Sequence, residues 1–136
     1  MSEERIEEVI VEEPVDTPVE EAKTVYPCIA LRGVSIFPNT VTHFDIGREK
    51  SIRALEKAMS KDKLMFVSTQ KDENVLIPTF GDVYPVGTLV KIKQMLKIQG
   101  DAVRVLVEGI YRCEIDEIIS EEPYMSCTIN EIVESV

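Results

Sequence analysis

The residue types that most often carry catalysis are thin in this chain of 136 residues. It has one histidine, His43, and no tryptophan, so an imidazole-based triad or metal site has a single candidate. His43 occupies an alternating position in "TVTHFD", the usual setting of a satisfied strand histidine. Ser35, after "RGV", and Ser68 lie in strand-like runs with no evident base nearby, and a serine nucleophile needs one to activate it. Cys28, Cys113 and Cys127 form an odd set without a C-x-x-C pair. They read as small core residues in a reducing compartment rather than as zinc ligands or disulfide partners. Phosphate-cradling loops, nucleophile elbows, H-E-x-x-H motifs and paired-glycine fingerprints are all missing. Carboxylate-pair chemistry leaves little sequence trace, so a small enzyme using Asp45 or Glu108 stands as a third reading, although no pair is singled out. The class of function best supported by the residues is binding, with no cofactor or metal held in this segment.

The most informative stretch is "KIKQMLKIQGDAVRVLVEG", residues 91–109. Its alternation of apolar and charged residues around Gly100-Asp101 predicts a hairpin with a two-residue turn, Gly first, of type II′. That turn sets a register in which Ile98 opposes Val103, Leu96 opposes Val105 and Lys93 opposes Glu108. Leu96, Ile98, Val103, Val105 and Val107, with Ile92, then share the core face. The other face carries Lys91, Lys93, Lys97, Arg104 and Glu108 around an opposed apolar pair, Met95 and Leu106. Such a pair is either covered by another element or is an adaptable, exposed footing for apolar segments.

The elements that would position these residues follow from period and punctuation. Strands are expected over "VYPCIAL", "VSIFP", "TVTHFDI" and "KLMFVSTQ", with Pro27 and Pro38 at edges, starts or bulges. One helix opens at Gly47 and runs through "REKSIRALEKAMS", where Ile52, Leu55 and Met59 share a face and Glu49 precedes Arg53 by four residues. A long connection, "KDENVLIPTFGDVYPVG", contains a brief strand around Val75 to Ile77. Further strands follow in "TLVKIKQMLKI", "DAVRVLVEG", "IYRCEIDEII" and "YMSCTINEIVE". Many short strands with one principal helix give an α+β, mainly β fold, a curled antiparallel sheet or small barrel of about six strands.

Charge is unevenly spread. The net charge is −10, but residues 1–24 hold nine Asp/Glu against Arg5 and Lys23, leaving 16 acids and 13 bases, a net −3, for the rest. Glu runs with Pro14 and Pro18 mark residues 1–24 as an acidic, disordered leader to a domain spanning 25–136. The leader lacks the basic and apolar regions of a signal peptide, and no apolar run approaches bilayer-spanning length. A cytoplasmic protein without membrane contact is expected. The near-balanced domain disfavours phosphate tracking, yet Lys91, Lys93, Lys97 and Arg104 keep a nucleic-acid-binding module as the alternative, without aromatic stacking partners among them.

The motifs "LR.V..FP" (31–38), "GREKSI" (47–52), "VGT" (86–88), "QMLK" (94–97) and "VLVEG..R" (105–112) together closely resemble the N-terminal domain of the bacterial Lon ATP-dependent proteases, from about Tyr26 to Glu131. The resemblance implies a PUA-like, β-rich module that recognises and holds unfolded or damaged protein substrates. It also implies a cytoplasmic homohexameric AAA+ parent, dependent on ATP and magnesium, whose Ser-Lys peptidase dyad lies further along the longer chain. The turn "IQGDA" departs from the Pro-Asp-Gly type frequent in the family. As a substrate-recognition and assembly module without catalytic residues, the domain would use Met95 and Leu106 as apolar footing, with Phe37 as a third member. The helix opening, Arg48, Glu49, Lys50 and Arg53, would steer charged segments.

Overall fold

The computed structural model describes residues 23–133, so the leader expected over 1–24 falls, apart from its last two residues, outside the described residues. Six strands and one α-helix follow in the order β1 (Tyr26–Leu31), β2 (Val41–Ile46), α1 (Glu49–Met59), β3 (Leu64–Thr69), β4 (Val86–Lys97), β5 (Val103–Ser120) and β6 (Met125–Glu131). The fold is mainly β with one principal helix, as the strand pattern requires. No helix among the described residues is long and apolar enough to cross a membrane.

The sheet runs β2-β5-β4-β3-β1-β6, and β5 also pairs with β6, which closes five of the strands on themselves and leaves β2 as a flap beside the first half of β5. Closure removes the open edges that a flat sheet would expose. The strand β5 makes it possible by spanning 18 residues, where the sequence suggests two strands broken at Gly109. Ile110, Asp116 and Ile119 are the extra residues at its register shifts, and bulges of this kind bend a strand and increase its twist. Gly109 remains within the strand because the 37–40 loop lies directly on it: Asn39 N–H donates to its carbonyl at 2.9 Å, and its own N–H donates to Thr40 O at 3.0 Å.

Strands β1 and β3 are parallel and apolar on both faces, which is the pattern of strands covered from two sides. One face joins Ile29, Leu31, Met65 and Val67 to Val105, Val107 and the helix residues Ala54, Leu55 and Ala58. The other gathers Cys28, Phe66, Leu89, Cys113, Met125 and Cys127 inside the closed sheet. Helix α1 buries Ser51, Ala54, Leu55 and Ala58, a single stripe at helical spacing, while Ile52 and Met59 pack at its margin.

Two expected strands are absent. Residues 34–38 run as a loop whose carbonyls are taken by threonines rather than by a neighbouring strand: Thr69 Oγ1 donates to Val34 O at 2.7 Å and Thr88 Oγ1 to Ile36 O at 2.6 Å. Residues 75–77 also form no strand, because the Val75 carbonyl accepts from the Gln70 side chain at 3.1 Å.

The hairpin of β4 and β5 turns at Gly100-Asp101, with Gly100 at φ +68° and Ala102 N–H donating to Gln99 O at 3.4 Å. The register beyond it differs from the expected one. Ile98 N–H donates to Ala102 O, so the partners slip by one residue immediately after the turn. Met95 therefore opposes Val105, Gln94 opposes Leu106 and Leu96 opposes Arg104. At Lys93 a bulge inserts one residue into β4, and Ile92 opposes Val107. Val103, Val105 and Val107 face the core as the alternation demands. On the outer half of β4 the faces are exchanged, because a one-residue slip turns every side chain over.

Candidate functional site

The first turn of α1 forms a ridge between two surface grooves. Arg48 precedes it in extended conformation without a side-chain cap; Glu49 and Arg53 are exposed on the ridge, whereas Arg48 and Lys50 are half-buried. Glu49 and Arg53 line both grooves. They are joined to one another by an ion pair of 2.8 Å, one helical turn apart, and such exposed pairs contribute little to stability.

The first groove, of about 620 Å³, lies between α1, the 71–79 loop and the β5–β6 turn. Its floor is Cys28, Ala30 and Met125, and its outer wall is Leu76, Ile77 and Pro78. Leu76 and Ile77 are 72% and 70% exposed, although the loop presenting them is tied at several points. Buried Gln70 donates through Nε2 to Asp72 O at 3.0 Å and to Val75 O at 3.1 Å. Further along, Phe80 N–H donates to Glu121 Oε2 at 3.0 Å, and a reciprocal capping box joins Thr79 and Asp82. An anchored loop with two exposed branched side chains is a presented surface, since water contact costs roughly 25 cal/mol per Å² of apolar area that could have been buried.

The same groove is rimmed by cations. Arg48 donates to Gln70 Oε1, linking the start of α1 to the base of the loop. Burial, and then repulsion from Arg32, lower the pKa of its guanidinium from the ordinary value, yet arginine stays charged throughout the physiological range. Lys50 reaches Glu122 at 2.7 Å.

The second groove, of about 540 Å³, separates α1 from the hairpin tip. Met95 lines it, half-exposed, facing Glu49, Ile52, Arg53 and Glu56. Together the two grooves make a strip in which exposed aliphatic groups at both ends flank the charged ridge of α1. Among the described residues no group of three or more His, Cys, Asp or Glu is placed to hold a metal ion.

The structure thus joins Met95 to Glu49 and Arg53, and places Arg48 and Lys50 on the first groove with Arg53. Leu106 does not join Met95: it lies on the opposite face of the hairpin, between Gln94 and His43. Phe37, though exposed, lines a separate depression with Ser35, Thr69 and Arg112. The expected basic face of the hairpin loses Lys97, which opposes Val103, while Lys91 and Arg104 stay on it, opposite Glu108 and Leu96. Arg104 and Lys93 are engaged with Asp45 and Glu108. Sequence reasoning missed Leu76, Ile77 and Gln70. The only signal was a pair of adjacent aliphatic residues in a polar connection, which also fits a short strand.

The domain model described as the ATP-dependent protease La (LON) substrate-binding domain matches residues 25–135. This chain belongs to that family. Lon protease of Clostridium acetobutylicum is 53% identical over 107 residues, covering 79% of this chain and 14% of the relative. Lon protease of Clostridioides difficile is 49% identical over the same length, with 79% and 14% covered. The chain therefore spans about 14% of the length of these curated relatives, and the matched region is the Lon substrate-binding domain, without a catalytic domain. The N-terminal domain of Mycobacterium avium complex Lon protease superposes with a TM-score of 0.66 at 16% identity, covering 83% of this chain and 57% of that one. The Lon N-terminal domain protein from Xanthomonas campestris gives 0.60 at 11% identity, covering 79% and 59%. Both share the fold.

Proposed function

We propose that this domain holds unfolded or damaged polypeptides on the strip over α1 and passes them to a Lon protease that degrades misfolded and regulatory proteins. Residues 1–24 act as a leader to the 25–136 domain, in a cytoplasmic, homohexameric AAA+ serine protease. ATP, magnesium and the Ser-Lys dyad belong to the rest of that parent, and neighbouring subunits are further partners. The observation that carries the binding role is the presentation of Leu76 and Ile77 on an anchored loop beside Arg48, Lys50 and Arg53. Aliphatic groups accept apolar segments without sequence preference, while the flanking charges discriminate among them.

A holding site that passes its cargo onward must release it. The dissociation constant for an unfolded model protein is therefore expected at about 10 μM or weaker, near 7 kcal/mol of binding free energy. Titration of the isotope-labelled chain with a permanently unfolded protein, followed by backbone NMR at low and high salt, tests this. Shifts at Leu76, Ile77, Arg53 and Met95 that persist at high salt are the expected result. Submicromolar binding to a single peptide sequence, or unfolded-protein shifts absent from both grooves, would overturn it. The same titration with RNA addresses the nucleic-acid alternative, which requires salt-erased shifts at Lys91, Lys93, Lys97 and Arg104.

A further inference from the structure

We infer that a third depression, at the start of α1 between the ends of β1 and β2, binds a phosphoryl dianion, either inorganic phosphate or a phosphorylated side chain of a polypeptide. It has a volume of about 450 Å³, with Leu31, Val34, Phe44 and Ile46 as apolar walls and Arg32 and Arg48 as its cations. Helix α1 is 11 residues long and begins without a side-chain cap. Among the described residues nothing accepts from the backbone N–H groups of Glu49, Lys50 and Ser51. The first paired amide is that of Ile52, which donates to Arg48 O at 2.9 Å. Such free N–H groups at the positive end of a helix favour an anion. The group that marks a ligand site rather than a bare helix start is Ser51. It lines the depression at 7% exposure, and its hydroxyl has no hydrogen-bond partner among the described residues. A buried hydroxyl left unmet is costly, and a ligand oxygen in the depression would meet it.

The charges lining this depression are not balanced by their neighbours. Arg32 stands close enough to Arg48 for repulsion, after burial, to lower the Arg48 pKa. Arg48 spends one amino group on the neutral Gln70 amide. Asp45, the carboxylate on the lining, is taken in two prongs by Arg104. Glu49 is paired with Arg53 and lines the other two grooves instead. Glu73 approaches Gly33, its Oε2 3.0 Å from where a Cβ would stand, but does not line the depression. Two guanidiniums, three amides and a hydroxyl offer more donors than the roughly four acceptor sites of a carboxylate can take up. A phosphoryl group brings a charge of about −1.5 to −2 and three strong acceptor oxygens. The inference does not rest on the substrate reading, because this depression lies beside the strip and binds its ligand whether or not unfolded protein is held there.

The test is a backbone NMR titration of the isotope-labelled full chain with sodium phosphate at constant ionic strength, with chloride and acetate as comparisons. The expected result is amide shifts at Glu49, Lys50 and Ser51 that saturate with phosphate, at a midpoint on the order of a millimolar, and do not with chloride or acetate. Arg32→Gln and Ser51→Ala should each weaken phosphate binding several-fold. Without phosphate, the urea midpoint of Ser51→Ala should be unchanged or raised, since the variant removes an unmet hydroxyl and alanine favours a helix. A folding defect therefore cannot mimic the loss. Equal shifts with chloride, saturation by acetate, or full phosphate affinity in Ser51→Ala would overturn the inference. So would a marked fall in the urea midpoint of Ser51→Ala, because the hydroxyl would then have a partner within the fold. A phosphoserine peptide and its unphosphorylated counterpart distinguish the two sources. Phosphate-dependent binding several-fold tighter than that of inorganic phosphate, with added shifts at Val34, supports the site and assigns it to polypeptide. Binding no tighter than inorganic phosphate supports the site and assigns it to the free ion.

Discussion

Asp45 and Arg104 meet across β2 and β5 in a two-pronged contact, Nε to Oδ1 at 2.9 Å and Nη2 to Oδ2 at 3.2 Å. The pair ties the flap strand to the hairpin that carries Met95. The hydrogen bonds from Arg104, then its charge, hold the Asp45 carboxyl below its ordinary pKa. A carboxylate depressed in this way favours the fold above its unfolded pKa, about 3.9, and that contribution is lost as pH falls through the lower folded value. The side-chain carboxyl of Asp45, followed by NMR, should therefore titrate below the ordinary aspartate range, and Arg104→Gln should return it upward. An unchanged midpoint in the variant would show that the pair does not form in solution.

Gly109 has no room for a side chain. A Cβ there would lie 2.2 Å from the Phe37 carbonyl oxygen and 2.9 Å from its carbon, so Gly109→Ala must push the 37–40 loop off β5. Overpacking of this kind costs roughly 1–3 kcal/mol, and contact with backbone places the expectation at the upper end. Gly47→Ala, where nothing lies within 4 Å, is the control and should be close to neutral. Urea unfolding of the two variants checks the contrast, and equal midpoints would contradict the close approach.

These two positions illustrate which features were legible in advance. Helix α1, the turn at Gly100-Asp101 and the core valines of β5 follow from period and turn chemistry, which are local. The slip between Ile98 and Ala102 and the bulge at Lys93 are set by how β4 and β5 bend to close the sheet, and no residue type announces them. For the same reason the sequence pattern divides β5 in two: Gly109 looks like a stop in sequence, while its role is to let another segment approach. The candidate site was half legible. The charges at the start of α1 stand out as a cluster, but the exposure of Leu76 and Ile77 depends on Gln70 and Glu121 anchoring the loop from distant parts of the chain.

The three cysteines line one interior. Burial, and then interaction with Cys127, raise the Cys28 thiol well above its ordinary pKa, and burial pushes Cys113 up to about 12. Because all three thiols are buried, none should react with a thiol reagent until the protein unfolds. Stability should also decline with alkalinity. Above about pH 8.5 the unfolded Cys113 ionises while the folded one stays neutral, a loss of about 1.4 kcal/mol per pH unit until the folded thiol titrates. A shallower decline of urea stability over that range in Cys113→Ala identifies its share, and an identical slope would exclude it.

The register of the hairpin assigns different duties to two side chains that the sequence alone would pair. Met95 stands on the α1 side, opposite Val105 and across the groove from Ile52 and Arg53, whereas Leu106 stands on the far side between Gln94 and His43. If polypeptide is held on the α1 strip, a charge placed at Met95 confronts the bound segment and a charge at Leu106 does not. Met95→Asp should therefore weaken binding of an unfolded protein several-fold, and Leu106→Asp should leave it within about twofold, a difference of no more than roughly 0.4 kcal/mol at 25 °C. Both residues are partly exposed, so both variants are expected to fold, which circular dichroism confirms before binding is compared. Equal losses would mean that the two side chains do share a surface, and hence that the hairpin pairs in the unslipped register with Met95 directly opposite Leu106.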